Sequence, residues 1–318
     1  MKLGYALSSE ERSAGELVEH ARKAEDAGFE FALISDHYHP WLDEQGESPF
    51  VWSVLGAIAE ATERIEVGTG VTCPTMRIHP AIVAQAAATT ACLFDGRFFL
   101  GVGTGENLNE HILGARWPSA GERLELLEEA VEVIRKLWGG ELVEHHGKHY
   151  TVDRARIYSL PAEPPPLAIA AAAGGAAELA GRHGDALIST APNEDIVKTF
   201  EKAGGKGKPK YGQLTVCVDA SRERAIETAF RCWRNAALEG ELGQELPLPR
   251  YFKQATASLT REDVADAVVC GADEGEHRAK IEEFADAGFD HLYVHQVGAD
   301  QEGFIRFYER SVLSAVAA

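Results

Sequence analysis

From end to end the chain alternates short, nearly uninterrupted apolar runs with longer stretches whose apolar residues recur every third or fourth position. The first pattern marks strands buried on both faces, the second helices with one apolar stripe. The runs predict eight strands: Lys2 to Leu7, Phe31 to Asp36, Ile65 to Thr72, Phe98 to Val102, Leu167 to Ala172, Ala186 to Thr190, Gln213 to Val218 and His291 to Val297. Leu17, Val18, Ala21 and Ala24 stripe the first helix. Leu124, Leu127, Ala130, Val131, Ile134 and Leu137 stripe the helix after the fourth strand. Regular alternation of strand and helix implies a parallel sheet, and eight such units imply an α/β fold closed as a (β/α)8 TIM barrel, expected to fill residues 1–318 as one domain.

Punctuation supports that division. Asp26-Ala27-Gly28-Phe29 and Asp286-Ala287-Gly288-Phe289 are the same tetrapeptide, each ending a helix on glycine and leading into a strand. Ala168 to Ala177 is the most helix-prone of the strand regions, but Gly174-Gly175 argues for a break inside it. Two insertions interrupt the alternation: 141–160, which reads as a hairpin around Gly147, and 238–259, rich in Gly, Pro and Leu. In a barrel, long insertions are expected at the C-terminal face, over the active-site end.

Composition narrows the function. The 318 residues carry 31 Lys plus Arg against 50 Asp plus Glu, a net charge of -19, which disfavours nucleic acid as a partner. A small anionic ligand stays compatible, because backbone amides at helix N-termini act locally. No run approaches a membrane span, and Lys2 is followed by too few apolar residues for a signal peptide. The 5 cysteines include no CxxC pair, so reduced thiols and a cytoplasmic location are expected.

Chemistry in such barrels gathers at the C-terminal ends of strands. The second strand runs out into Ser35-Asp36-His37-Tyr38-His39-Pro40-Trp41, which brings a carboxylate, two histidines and an indole together. Histidine can accept a hydroxyl proton near neutral pH, and an aromatic can shield a reacting centre from water. Ordinary capping and packing would use the same residues. His37-x-His39 also resembles a metal-ligand pair, yet beyond it only His295 adds a histidine among the fifth, sixth and eighth strand ends, so no metal site is expected. His145, His146 and His149 read as a solvated cluster in the hairpin. After the fourth strand, Gly101-Val102-Gly103-Thr104-Gly105-Glu106 is a poor dinucleotide fingerprint. Its Glu106 suits either a partly desolvated proton donor or a helix N-terminal carboxylate. Gly174-Gly175 opens a helix whose free N–H groups suit a phosphate, or else simply makes a tight turn.

Taken together, Ser35-Asp36-His37-x-x-Pro40-Trp41, Gly68-Thr69-Gly70-Val71-x-x-Pro74-Thr75, Gly101 to Glu106 with Asn109, and Ala172-Ala173-Gly174-Gly175 resemble the F420-dependent glucose-6-phosphate dehydrogenase group of the luciferase-like superfamily. The likeness runs nearly the whole chain. It implies a luciferase-like barrel with coenzyme F420, a deazaflavin, across the strand ends, a homodimer, and hydride transfer from a hydroxyl-bearing carbon. By position it implies that Asp36 hydrogen-bonds the cofactor and His37 takes the substrate proton. Trp41 and Glu106 would stabilise and protonate during transfer. Gly70-Val71 would form a cis peptide beneath the ring, Cys73 and Thr104 would line the cofactor, and Asn109, Gly174 and Gly175 would surround its phosphate. Thr190, Asn193 and Lys253 would face the substrate.

The departures concern a phosphorylated substrate. The sixth strand end reads Ser189-Thr190-Ala191-Pro192-Asn193-Glu194 without a base before Lys198, and Ala265-Asp266-Ala267-Val268 stands where the group has an arginine. Lys253 alone is inadequate for a phosphate, so an unphosphorylated sugar or alcohol is expected in place of glucose 6-phosphate. The competing readings are an FMN-dependent luciferase-like monooxygenase, a non-catalytic flavin or deazaflavin carrier, and last a metal hydrolase.

Overall fold

The computed structural model describes residues 1–313. The elements in order are β1 (Lys2–Leu7), α1 (Ala14–Ala27), β2 (Phe31–Ile34), α2 (Val51–Ala61), β3 (Glu66–Thr69), α3 (Pro80–Phe94), β4 (Phe98–Val102), α4 (Asn107–Glu110), α5 (Ala120–Trp138), β5 (Val143–His146) and β6 (Thr151–Ala155). They continue with β7 (Leu167–Ala170), α6 (Gly174–His183), β8 (Ala186–Ser189), α7 (Glu194–Phe200), β9 (Lys210–Cys217), α8 (Arg222–Trp233) and α9 (Leu242–Glu245). The last are α10 (Pro249–Ala255), α11 (Arg261–Ala267), β10 (Val269–Cys270), α12 (Glu274–Asp286), β11 (His291–Gln296) and α13 (Gln301–Tyr308). Strands pair in the order β9-β11-β1-β2-β3-β4-β7-β8, and β8 pairs back onto β9, so eight parallel strands close a barrel.

Glycine and aromatic residues alternate between neighbouring strands to fill the interior. A Cβ on Gly4 would lie 2.5 Å from the Phe31 ring, and one on Gly68 would lie 2.2 Å from Phe99. Phe31, Phe99, Tyr211 and Tyr293 thereby occupy the space inside the barrel. A second, larger core joins the outer strand faces to the helices, and Leu17, Ala21, Ala24, Leu127, Val131 and Ile134 sit in it as the stripes require. The repeated tetrapeptide makes the same cap twice. Gly28 and Gly288 take φ of 94° and 95°, and Phe29 and Phe289 donate back to Ala24 and Phe284.

The strand positions match the apolar runs, with boundary differences. The third strand stops at Thr69, before the Gly70-Val71 bend, and the seventh begins at Lys210. The two-residue β10, which extends the β9 edge, carries too little pattern to be read. Gly174 opens α6, so the alanine-rich region does break there. The hairpin at 143–155 forms, but none of its residues lines the cavity at the strand ends; Tyr150 Oη donates to the Thr75 carbonyl (2.9 Å) in the loop after β3. Its other polar groups bond to α5: Glu129 accepts from His145 Nε2 (2.9 Å) and from the His149 and Tyr150 N–H groups. Among the described residues no helix is long and apolar enough to cross a membrane.

Candidate active site

A cavity of about 480 Å³ opens at the C-terminal ends of the strands. Its floor is apolar, built from Ala6, Leu33, Val71, Ala170 and Ile188. Its roof is the 238–259 insertion, through Leu238, Gly243, Gln244 and Phe252. The peptide Gly70-Val71 is cis, and both residues line the floor.

The loop after β2 carries His37 into this space. Asn109 holds the loop: its Oδ1 accepts from the Tyr38 N–H (2.8 Å) and the His39 N–H (3.1 Å). Because backbone N–H groups only donate, the amide orientation is fixed and Nδ2 must be the donor. Nδ2 lies 3.2 Å from His37 Nδ1 and 3.3 Å from Glu106 Oε2. His37 Nδ1 also lies 3.2 Å from the His39 carbonyl oxygen, and its Nε2 lies 3.3 Å from Glu10 Oε1. Glu10, from the turn after β1, also accepts from the Ser35 hydroxyl (2.6 Å) and the Ser8 hydroxyl (3.1 Å). Burial would raise its carboxyl, but His37, the Ser35 hydroxyl and, more weakly, His295 outweigh burial and hold it below the usual carboxylate range. Trp41 packs on the His37 ring at 5.0 Å between centroids and on Phe252 at 5.2 Å. Thr104, Glu106, Gly175 and Thr190 also line the cavity.

Other expected residues are nearby but not on its wall. Asp36 is buried and spent on protein partners, Thr72 Oγ1 at 2.9 Å and Arg77 Nη2 at 2.8 Å. Arg77 bridges onward to Glu110, whose carboxyl is pushed up to about 7 by burial, partly opposed by Arg77 itself. Cys73 is buried against Thr75 (3.0 Å), with its thiol raised by burial. Asn109 positions the loop from behind. Asn193 caps α7, accepting from the Asp195 and Ile196 N–H groups, and Lys253 is exposed and paired with Glu44 at 3.0 Å. The expectation that Asn193 and Lys253 face a substrate therefore fails in this geometry, since a local cap and a nearby carboxylate claim them first. Gly174 is the first residue of α6, with open space where a Cβ would stand.

The sequence reading did not single out Glu10, Arg123 or Trp233, all of which line the cavity. Glu10 was visible in principle, because Ser8 to Glu11 is a polar cluster directly after a strand. Arg123 was not, since a basic residue one turn into an amphipathic helix looks like a solvated one. It is buried, stacks on Trp117 at 4.6 Å, and donates to Glu245 (3.1 Å) and Gln244 (2.9 Å) of the roof. It stands near the start of α6, whose N-cap, Ala173, has no side chain that could bond the first amides. Among the described residues no three metal-ligating side chains cluster.

Residues 1–291 match the family model for luciferase-like monooxygenases. The chain is 37% identical to the F420-dependent glucose-6-phosphate dehydrogenase of Nakamurella multipartita, over 100% of its own length and 97% of that protein's. It is 38% identical to the enzyme of the same name from Mycobacterium avium, over 98% and 97%. Among solved structures it is similar to an F420-dependent secondary alcohol dehydrogenase in complex with an F420-acetone adduct, at a TM-score of 0.91, 28% identity and 98% coverage of both chains. The coenzyme F420-dependent tetrahydromethanopterin reductase of Methanopyrus kandleri, at 23% identity and a TM-score of 0.78, shares the fold.

Proposed function

The chain belongs to the luciferase-like monooxygenase family, and from that premise we propose that it is an F420-dependent dehydrogenase of an unphosphorylated sugar or alcohol. The observation that carries this reading is one cavity with two unlike sets of polar groups. His37, Glu10, Trp41 and Glu106 line it from the loops after β1, β2 and β4. The uncapped start of α6 and the buried cation of Arg123 line it as well, over an apolar floor. A flat ring with an anionic tail fits that arrangement, because the floor takes the ring and the α6 amides with Arg123 take the charge.

When bound, the deazaflavin supplies the hydride acceptor. The chain supplies the rest. The substrate hydroxyl gives its proton to the His37–Glu10 pair. The ionised Glu10 carboxylate can accept further hydrogen bonds, and His37, 3.3 Å away through Nε2, holds that carboxylate in place. Trp41 and Phe252 exclude water from the carbinol carbon, and Glu106 holds the proton that balances the hydride. Asp36 acts at one remove, anchoring the loop through Arg77 and Thr72.

A neutral substrate follows from charge. Of the Lys and Arg among the described residues, Arg123 alone lines the cavity, and it serves the start of α6. A homodimer also belongs to this proposal. Phe50, Ile82 and Leu93 are exposed on the packed pair α2 and α3, and sedimentation would show a monomer if that surface is not an interface.

The test is titration with oxidised F420 and, separately, FMN, followed by a screen of sugars, sugar phosphates and alcohols for loss of deazaflavin absorbance. Tight F420 binding with bleaching by an unphosphorylated substrate is expected. FMN binding with oxygen consumption and no response to F420 would transfer the chain to the monooxygenase reading.

A further inference from the structure

Four buried side-chain polar atoms among the described residues have no hydrogen-bond partner, and three of them, Arg123 Nε, Asn235 Oδ1 and His295 Nδ1, belong to residues lining the cavity. An orphaned buried polar atom costs about 1–3 kcal/mol, so its concentration in one pocket points to a ligand that repays it. His295 is the most informative. It stands near the end of β11, is 2% exposed, and directs Nε2 at Glu11 Oε2 at 3.0 Å. The other oxygen of Glu11 accepts from the Gly298 N–H at 3.1 Å. A carboxylate only accepts, so in the neutral form of the ring Nε2 carries the proton and Nδ1 holds a lone pair. The Trp233 indole packs against that ring at 4.3 Å between centroids.

The reacting hydroxyl has one proton, and the His37–Glu10 pair takes it. A second acceptor on the same wall, with the Asn235 amide beside Trp233, has no counterpart in a monohydric alcohol. Trp41, Trp233 and Phe252 supply apolar faces of the kind that stack on the C–H face of a ring carrying hydroxyls at its edge. Resting on the F420-dehydrogenase reading, we propose that His295, oriented by Glu11, is a specificity-determining residue whose Nδ1 accepts a hydrogen bond from a second hydroxyl of the substrate. The substrate class is then a neutral compound with at least two hydroxyl groups, such as a sugar or cyclic polyol. A site built to bond a hydroxyl rejects an analogue lacking it far more strongly than an apolar pocket does.

The experiment pairs trans-1,2-cyclohexanediol with cyclohexanol. Protein labelled with 15N-histidine, free of cofactor, is titrated with each, and the His295 signals are assigned with His295→Phe. An unprotonated-type Nδ1 signal that moves with the diol and not with cyclohexanol is expected. A protonated Nδ1, or equal response to both, overturns the inference. In the F420-loaded protein the ratio of kcat/KM for diol over monohydric alcohol is expected to exceed about tenfold and to fall to about one in His295→Phe. A ratio that survives the substitution overturns it as well. If His295→Phe does not fold, His295→Gln provides both the assignment and the ratio. If no probe bleaches F420, the dehydrogenase reading fails, and the NMR response still decides whether His295 recognises a second hydroxyl.

Discussion

At the scale of single residues, the site works through pairs whose partners hold each other in place. Replacing His37 with alanine removes the donor that holds Glu10 and one wall for the substrate. Turnover is expected to drop about 100-fold with F420 affinity within a few-fold of the original. Stopped-flow bleaching and equilibrium titration on one preparation separate the two quantities, and unchanged turnover would remove His37 from the proton path. Glu106→Gln keeps the shape and loses the titrating group, so the pH–rate profile is expected to lose one limb. An identical profile would reduce Glu106 to the start of α4.

Glu110 gives a stability prediction at the same scale. Its folded carboxyl, at about 7, lies above an unfolded value of about 4.5. Between those values the folded state binds a proton that the unfolded state does not, so stability falls as pH rises through this window and levels off above it. The shift corresponds to about 3 kcal/mol over the whole window. Glu110→Gln cannot ionise and can still accept from the Arg77 N–H, so its Tm is expected to exceed the parent's at pH 8 and to converge with it near pH 5. A parent curve that rises from pH 5 to pH 8 relative to the variant would contradict this assignment.

Among the elements, the roof segment has the most to reveal. Its short helix α9 is tied to the barrel rim through Glu245, which accepts from Arg123 Nη1 (3.1 Å) and Trp117 Nε1 (3.2 Å), while its backbone carbonyl accepts from Asn107 Nδ2 (2.9 Å). Glu245→Ala removes two of these ties and leaves a buried guanidinium short of a partner. A loss of about 1–2 kcal/mol in closure would appear as roughly tenfold faster F420 release, measurable by fluorescence recovery after dilution. An unaltered release rate would mean that this helix does not gate the cavity. The two insertions also show how an element is placed. Both read as excursions from the barrel rhythm, but the hairpin's polar groups find Glu125 and Glu129 on α5 and stay there. The later segment carries Leu238 and Phe252, which find apolar partners over the site.

For the whole molecule, closure of the barrel depends on space as much as on hydrogen bonds. Gly68 faces the Phe99 ring across the β3–β4 pair, and a methyl there would overlap it at 2.2 Å. Phe99 is buried and stacked on Tyr211 at 5.0 Å, so it has little room to retreat. Gly68→Ala is expected to destabilise the protein by about 1–3 kcal/mol in urea unfolding, without moving a residue of the cavity floor's polar rim. A neutral effect would mean that the interior is loosely filled.

The sequence by itself determined the order and kind of the barrel elements, the breaks at Gly28, Gly174 and Gly288, and the strand-end motifs around His37, Gly70 and Glu106, because each is written in local periodicity or in neighbouring residues. It also carried the family likeness, through motifs that return in order. Tertiary structure alone decided which polar groups face a ligand and which face each other. Asp36 and Glu110 share Arg77, Asn193 caps its own helix, and Lys253 is held by Glu44, whereas Glu10 and, unremarkable in sequence, Arg123 and Trp233 line the cavity. Ser8, His37, Arg123, Asn235 and His295 are brought to one cavity by closure of the barrel. Hydrogen-bond partnership there depends on distances of about 3 Å between groups tens to hundreds of positions apart, which no local pattern encodes.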